Sequence, residues 1–114
     1  GTMEAIATAH APHGEEEKKQ SIAKAPFGIV GSETAYALSV THLVKTGKLT
    51  PLQLVEKMST NPCRILSVPG GTLSVGAPAD ITIADMDSEY VIDKNTFLSK
   101  GKNTPFDGLR MDMF

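Results

Sequence analysis

The chain has 114 residues, 40% of them hydrophobic and 21% charged, with 11 Lys and Arg against 13 Asp and Glu for a net charge of −2. That is a globular composition and one domain's worth of polypeptide, too short for a complete (β/α)₈ barrel of roughly 250 residues. The balance excludes the basic surface that a nucleic-acid partner requires. No apolar run approaches the ~18 residues of a membrane helix, and the start has no secretory leader pattern. A single cysteine, Cys63, cannot staple the fold and fits a reducing cytoplasm.

Residues 5–8, Ala-Ile-Ala-Thr, are short, small and apolar. This predicts a strand buried on both faces, as in a parallel sheet. No second strand–crossover–strand unit follows, so the chain reads as part of something larger. Residues 9–31 predict a long loop, punctuated by Pro12, Pro26, Gly14, Gly28 and Gly31. Its charge run, Glu15-Glu-Glu-Lys-Lys19, has the composition for a short helix. A helix is expected from Ser32 as N-cap, with Glu33 in the first turn and an apolar stripe of Tyr36, Val40, Leu43 and Val44. Lys45 falls in its last turn, and Gly47 suits a left-handed C-cap.

Thr50-Pro51-Leu52-Gln53 carries a capping-box pattern with proline at the first helical position, predicting a second helix to about Ser59. Asn61-Pro62 repeats the device and starts a short helix through Leu66. From Gly70 the period changes. Residues 72–75, 80–84 and 90–92 read as short strands, with turns at Gly70-Gly71 and Gly76-Ala-Pro78. Asp93 caps a brief helix through Leu98, and residues 101–114 read as a loop-like tail.

His10-Ala-Pro-His13 is the densest group of functional side chains. It follows a buried strand directly, which is where α/β enzymes place their sites. Two histidines at this spacing do not make a zinc site, which takes three or four protein ligands. His42 reads as a helix-surface or packing residue, and the run at 15–19 as a solvated face. Cys63, in the first turn of a short helix, has no base within reach by sequence to activate it.

Six segments occur together in this order: Ile6-Ala-Thr-Ala-His-Ala-Pro-His13, Ala25-Pro-Phe-Gly28, Gly31-Ser-Glu-Thr34, Ser59-Thr-Asn-Pro62, Gly76-Ala-Pro-Ala-Asp80 and Lys102-Asn-Thr-Pro-Phe106. Over residues 1–108 the chain resembles the C-terminal third of bacterial type I dihydroorotases, in the amidohydrolase superfamily. The His-Ala-Pro-His and Pro-Phe-Gly segments are its most specific parts. Hydantoinases and allantoinases differ after the strand-eight aspartate.

The resemblance implies an α/β fold: the C-terminal fragment of a (β/α)₈ amidohydrolase barrel plus part of a small β-domain. Residues 1–68 are then the last barrel strand, active-site loop and C-terminal helices. Residues 69–114 are part of the β-domain and tail. It implies reversible conversion of N-carbamoyl-L-aspartate to dihydroorotate in pyrimidine biosynthesis, in the cytoplasm, with Zn²⁺ activating the hydroxide that attacks the ring amide. By position, His13 matches a histidine that hydrogen-bonds substrate, and Phe27 and Gly28 match a segment whose backbone contacts the pyrimidine ring.

The family's aspartate, metal ligand and general base, would stand at position 9, where this chain has Ala9. A methyl group neither ligates zinc nor moves a proton, so activity is expected to fall at least by the ~10²–10⁴-fold that general acid–base catalysis supplies. The first-strand metal ligands of the family are not in this sequence. The chain alone is therefore expected to be inactive, to hold no zinc tightly, and to self-associate through exposed barrel faces. The alternative is a non-catalytic scaffold or binding partner of aspartate carbamoyltransferase.

Overall fold

The computed structural model describes residues 2–112. The ends of the two expected units, Gly1, Met113 and Phe114, lie outside the described residues.

Residues 2–14 form no strand, which corrects the expectation for residues 5–8. A parallel strand needs neighbouring strands to take its N–H and C=O groups, and among the described residues the one strand ladder is made by residues 89–91 and 110–112. The N-terminal segment is tied instead to the helices. The Ile6 N–H donates to the Lys57 carbonyl at 3.0 Å, and Asn61 Nδ2 donates to the Glu4 carbonyl at 2.8 Å. At its end the backbone turns left-handed, with Ala9 at φ 45°.

The charge run does form a short helix, α1 (Glu15–Lys18). Glutamates fill its first turn, where the helix dipole favours them, and the Glu17 carboxylate reaches back to accept the Gly14 N–H at 2.8 Å.

The next helix starts later than the sequence suggests. Thr34, not Ser32, is the N-cap of α2 (Ala35–Ser39), because a turn closes first: the Thr34 and Ala35 N–H groups both donate to the Gly31 carbonyl. Glu33 does not serve the helix dipole. Its carboxylate accepts the N–H groups of Leu98 and Ser99 at 2.7 and 3.1 Å, tying the helix start to a distant turn. α2 runs on without a break into a π-helical turn, Val40–Val44. The predicted stripe shifts by part of a turn: Ala37 and Val40 are buried, while Tyr36, Leu43 and Val44 are half-buried. Gly47 adopts the left-handed conformation expected after the helix end, at φ 72°.

The capping box of α3 (Pro51–Val55) forms as the sequence specifies. Thr50 Oγ1 accepts the Gln53 N–H at 3.2 Å, and Gln53 Oε1 accepts the Thr50 N–H at 2.9 Å. The expected break near Ser59 is absent. α3 continues as a π-helical turn, Glu56–Thr60, into α4 (Asn61–Leu66). Pro62 has no N–H, so the Met58 carbonyl loses its normal i+4 donor, and the helix absorbs this by widening just before the proline. Leu54 of α3 is fully buried, and α3 packs on the π-helical turn after α2.

Residues 72–75 and 80–84 form no strands, a second correction. Their apolar side chains find nothing to bury against: Val75 and Ile83 are fully exposed or nearly so. The turn at Gly76 does form, closed by the Ala77 N–H on the Ser74 carbonyl at 3.0 Å. The third expected strand exists as β1 (Glu89–Val91). Its partner comes from the supposed tail: β2 (Arg110–Asp112) pairs antiparallel, Tyr90 opposite Met111. Between them Asp93 caps a single 3₁₀ turn, Lys94–Thr96, shorter than the helix expected through Leu98.

This ladder lies against α2. Ala37, Ile92 and Met111 form a buried cluster, flanked by Leu38, Tyr90, Phe97 and Phe106. The cluster draws on both sides of residue 68. No helix among the described residues is long and apolar enough to cross a membrane.

Candidate functional site

The loop after the left-handed Ala9 carries both histidines, and each has a distinct structural assignment. His10 Nδ1 accepts two backbone donors, the N–H of Gly31 at 3.1 Å and of Ser32 at 3.3 Å. Because Nδ1 accepts, the neutral ring carries its proton on Nε2. His10 thus fastens the end of the N-terminal segment to the turn that starts α2. The approach is close: a Cβ on Gly31 would stand 2.9 Å from the Thr8 carbonyl oxygen, so glycine is required there.

His13 has the opposite polarity. Its Nε2 lies 2.9 Å from the Phe27 carbonyl, which can only accept, so Nε2 carries the proton. Its Nδ1 stands 3.9 Å from Glu17 Oε2, forming an ion pair only when the ring is protonated. The residues singled out by sequence are therefore brought together: His13 meets the main chain of Phe27, next to Gly28. The Phe27 side chain is 92% exposed, so its share in this arrangement is its backbone. Gly28 sits at φ 98°, and a Cβ there would stand 2.6 Å from the Ala11 Cβ. Only glycine allows residues 10–13 and 26–28 to run this close.

Two further residues hold these segments, and sequence reasoning missed both. Lys18 Nζ donates to the Pro26 carbonyl at 2.9 Å and the Gly28 carbonyl at 3.1 Å. Asn103 inserts its amide between the segments. Its Oδ1 accepts the His13 N–H at 3.0 Å, while its Nδ2 donates to the carbonyls of Ala11 at 2.9 Å and Gly28 at 3.2 Å. Lys18 sat in a run that reads as solvated surface. Asn103 lies 90 residues from His13, and only the Lys102-Asn-Thr-Pro-Phe106 segment marked it.

An open cleft of about 600 Å³ adjoins the pair, lined by His13, Lys18, Lys94, Lys100 and Asn103 among others. Phe27 and Gly28 do not line it. The nearby Asp107 carboxyl is held below the ordinary carboxylate range, first by the Lys94 N–H that it accepts at 3.0 Å, then by the Lys94 ammonium.

The described residues do not fit a metal ion by themselves. Among them no three His, Cys, Asp or Glu side chains group closely enough to hold one. Ala9 presents a methyl group, and His10 Nδ1 is occupied by backbone donors. His42 and Cys63 stand on helices apart from the loop. Chemically, the arrangement offers a fixed imidazole whose Nε2–H is held by the Phe27 carbonyl and whose Nδ1 remains an acceptor, with glycine-lined backbone and flanking ammonium groups. It can bind and orient a small polar ligand, and position 9 supplies no base.

The chain is 59% identical over 109 residues to the dihydroorotase of Bacillus licheniformis and 56% identical to that of Bacillus subtilis, with 96% of this chain covered in each case. It is 55% identical to the dihydroorotase of Brevibacillus brevis. It spans about a quarter of the length of these relatives, 25–26%. Among solved structures, an L-hydantoinase (dihydropyrimidinase) from Arthrobacter aurescens superposes with a TM-score of 0.92 at 32% identity, covering 99% of this chain and 26% of the other. A D-hydantoinase (dihydropyrimidinase) from Thermus sp. gives 0.85 at 27%, covering 96% and 25%. The backbone arrangement is thus shared with hydantoinases, while the sequence stands much nearer to dihydroorotases. The amidohydrolase family model matches residues 5–109, which takes in the His10–His13 loop, the Phe27–Gly28 segment and Asn103, and the chain belongs to that family.

Proposed function

We propose that this chain is the C-terminal, substrate-binding portion of a zinc-dependent dihydroorotase, which interconverts N-carbamoyl-L-aspartate and dihydroorotate in cytoplasmic pyrimidine biosynthesis. In this reading residues 1–68 complete a (β/α)₈ barrel and its active-site loop, and residues 69–114 belong to a small β-domain. His13 presents its imidazole to the substrate, and the backbone of Phe27 and Gly28 meets the ring. The observation that carries the reading is the closing of His13 Nε2 onto the Phe27 carbonyl at 2.9 Å. It joins two segments that resemble dihydroorotase motifs, in a chain at least 55% identical to three dihydroorotases. The metal and the attacking hydroxide belong to the whole enzyme. This chain's own residues bind and orient: a buried ligand edge left unpaired would cost ~1–3 kcal/mol, which the His13 Nδ1 acceptor and main-chain groups avert.

Position 9 is where turnover is lost. Ala9 sits at φ 45°, a left-handed conformation that aspartate and asparagine adopt more readily than alanine. The backbone thus favours the residue type that the family pattern places there. In the full-length protein, Ala9→Asp is expected to raise hydrolysis of dihydroorotate by ~10²-fold or more over the parent. A metal-loaded Ala9→Asp protein with no gain would refute the reading.

That result would favour the second one, a non-catalytic partner of aspartate carbamoyltransferase, which Ala9 supports equally. Co-elution with that enzyme in gel filtration is its test.

A further inference from the structure

We infer that Asn103 is a positioning residue, whose side-chain amide sets His13 and the Phe27–Gly28 backbone in register for the ligand. The inference deepens the functional reading above and rests on it. It starts from the amide's capacity. A carboxamide offers one acceptor oxygen and two N–H donors. Here the oxygen takes the His13 N–H, and the nitrogen serves the carbonyls of Ala11 and Gly28. The two segments that form the site are thus bridged by one side chain on a third segment. The Asn103 main chain adds to the bridge, because its carbonyl accepts the Val30 N–H at 3.1 Å. Both ligand-facing segments are therefore hung on residue 103.

The surrounding chain is shaped for this contact. Gly101 is buried, and a Cβ there would stand 2.8 Å from Pro12 Cβ and 2.9 Å from both His13 N and Asn103 Oδ1. Glycine at 101 lets the turn approach closely enough for the amide to reach. Asn103 does not touch the His13 ring. It fixes the backbone from which the ring projects, and the Gly28 carbonyl one residue beyond the ring's own partner, Phe27. Preorganisation of this kind lowers what the ligand must spend on ordering the site.

The chemistry distinguishes asparagine from its isosteres. Asn103→Asp keeps an acceptor for the His13 N–H but turns the donor nitrogen into an anionic oxygen facing two carbonyls. Asn103→Ala removes all three bonds and serves as the second variant should the aspartate fail to fold. The test uses the full-length protein that carries this sequence, with its metal. Dihydroorotate affinity is measured by calorimetry, folding by thermal melting, and the His13 ring by ¹⁵N–¹H imidazole correlation spectra. The parent is expected to bind and to show the Nε2–H tautomer. Asn103→Asp is expected to weaken binding about tenfold or more, the loss of one or two hydrogen bonds, and to shift the His13 signals away from that pattern in the folded protein. A merely structural role would lower the melting temperature and leave the His13 pattern and the affinity of the folded protein unchanged. Either an unchanged imidazole pattern or an unchanged affinity overturns the inference. If the parent itself binds no dihydroorotate, the functional reading falls, and the imidazole pattern alone decides whether Asn103 positions His13.

Discussion

Replacing His10 separates its role from that of His13. His10 Nδ1 is the acceptor for two backbone donors, one on buried Gly31 and one on exposed Ser32. In His10→Ala the Ser32 N–H can turn to water, so its loss contributes little. The Gly31 N–H is the costly one, since an unmet buried donor is worth ~1–3 kcal/mol. His10 is itself exposed, and removing its ring opens a path for water to that donor, which points to the lower end, about 1 kcal/mol. With a urea m-value of ~1–3 kcal/mol/M, the unfolding midpoint falls by roughly 0.3–1 M. His10→Asn places an amide oxygen near the position of Nδ1 and is expected to recover most of the loss. His10→Gln reaches toward Nε2 instead and is not. Urea unfolding of the three variants beside the parent decides the matter. Equal destabilisation by Asn and Ala, or no destabilisation by Ala, would refute the acceptor role.

Gly28→Ala combines a left-handed φ of 98° with a Cβ only 2.6 Å from the Ala11 Cβ. A loss of about 1–3 kcal/mol in urea unfolding is expected, together with weaker dihydroorotate binding, and a neutral result would mean that the two segments are not held this close. Asp107 gives a pH dependence. Its folded-state pKa is lowered from 3.8, chiefly by the Lys94 N–H, so its contribution is present above pH 3.8 and is lost as pH falls through the lowered value. Asp107→Asn should flatten the acid limb of the melting-temperature profile, and an unchanged acid limb would count against the contact.

Local chemistry was readable wherever its partners lie close in sequence. The capping box at Thr50 and Gln53, the left-handed Gly47, the turn at Gly76 and the Asp93 cap all follow from residues within a few positions of one another. The His-Ala-Pro-His and Pro-Phe-Gly segments likewise marked the two halves of the site before their contact was visible. What needed a distant partner was misread. Residues 5–8, 72–75 and 80–84 have the composition of strands, yet a strand exists only where another takes its hydrogen bonds, and pattern alone cannot supply one. The start of α2 moved to Thr34 because a turn first closes on the Gly31 carbonyl, while Glu33 is drawn away to the N–H groups of Leu98 and Ser99. The tail gained β2 because Met111 could bury itself beside Ile92 and Ala37. Which nitrogen of His10 and of His13 carries the proton, and that Asn103 joins the two halves of the site, were decided by tertiary structure. Hydrogen bonds form between groups that the fold brings within about 3 Å, and sequence separation does not record that distance.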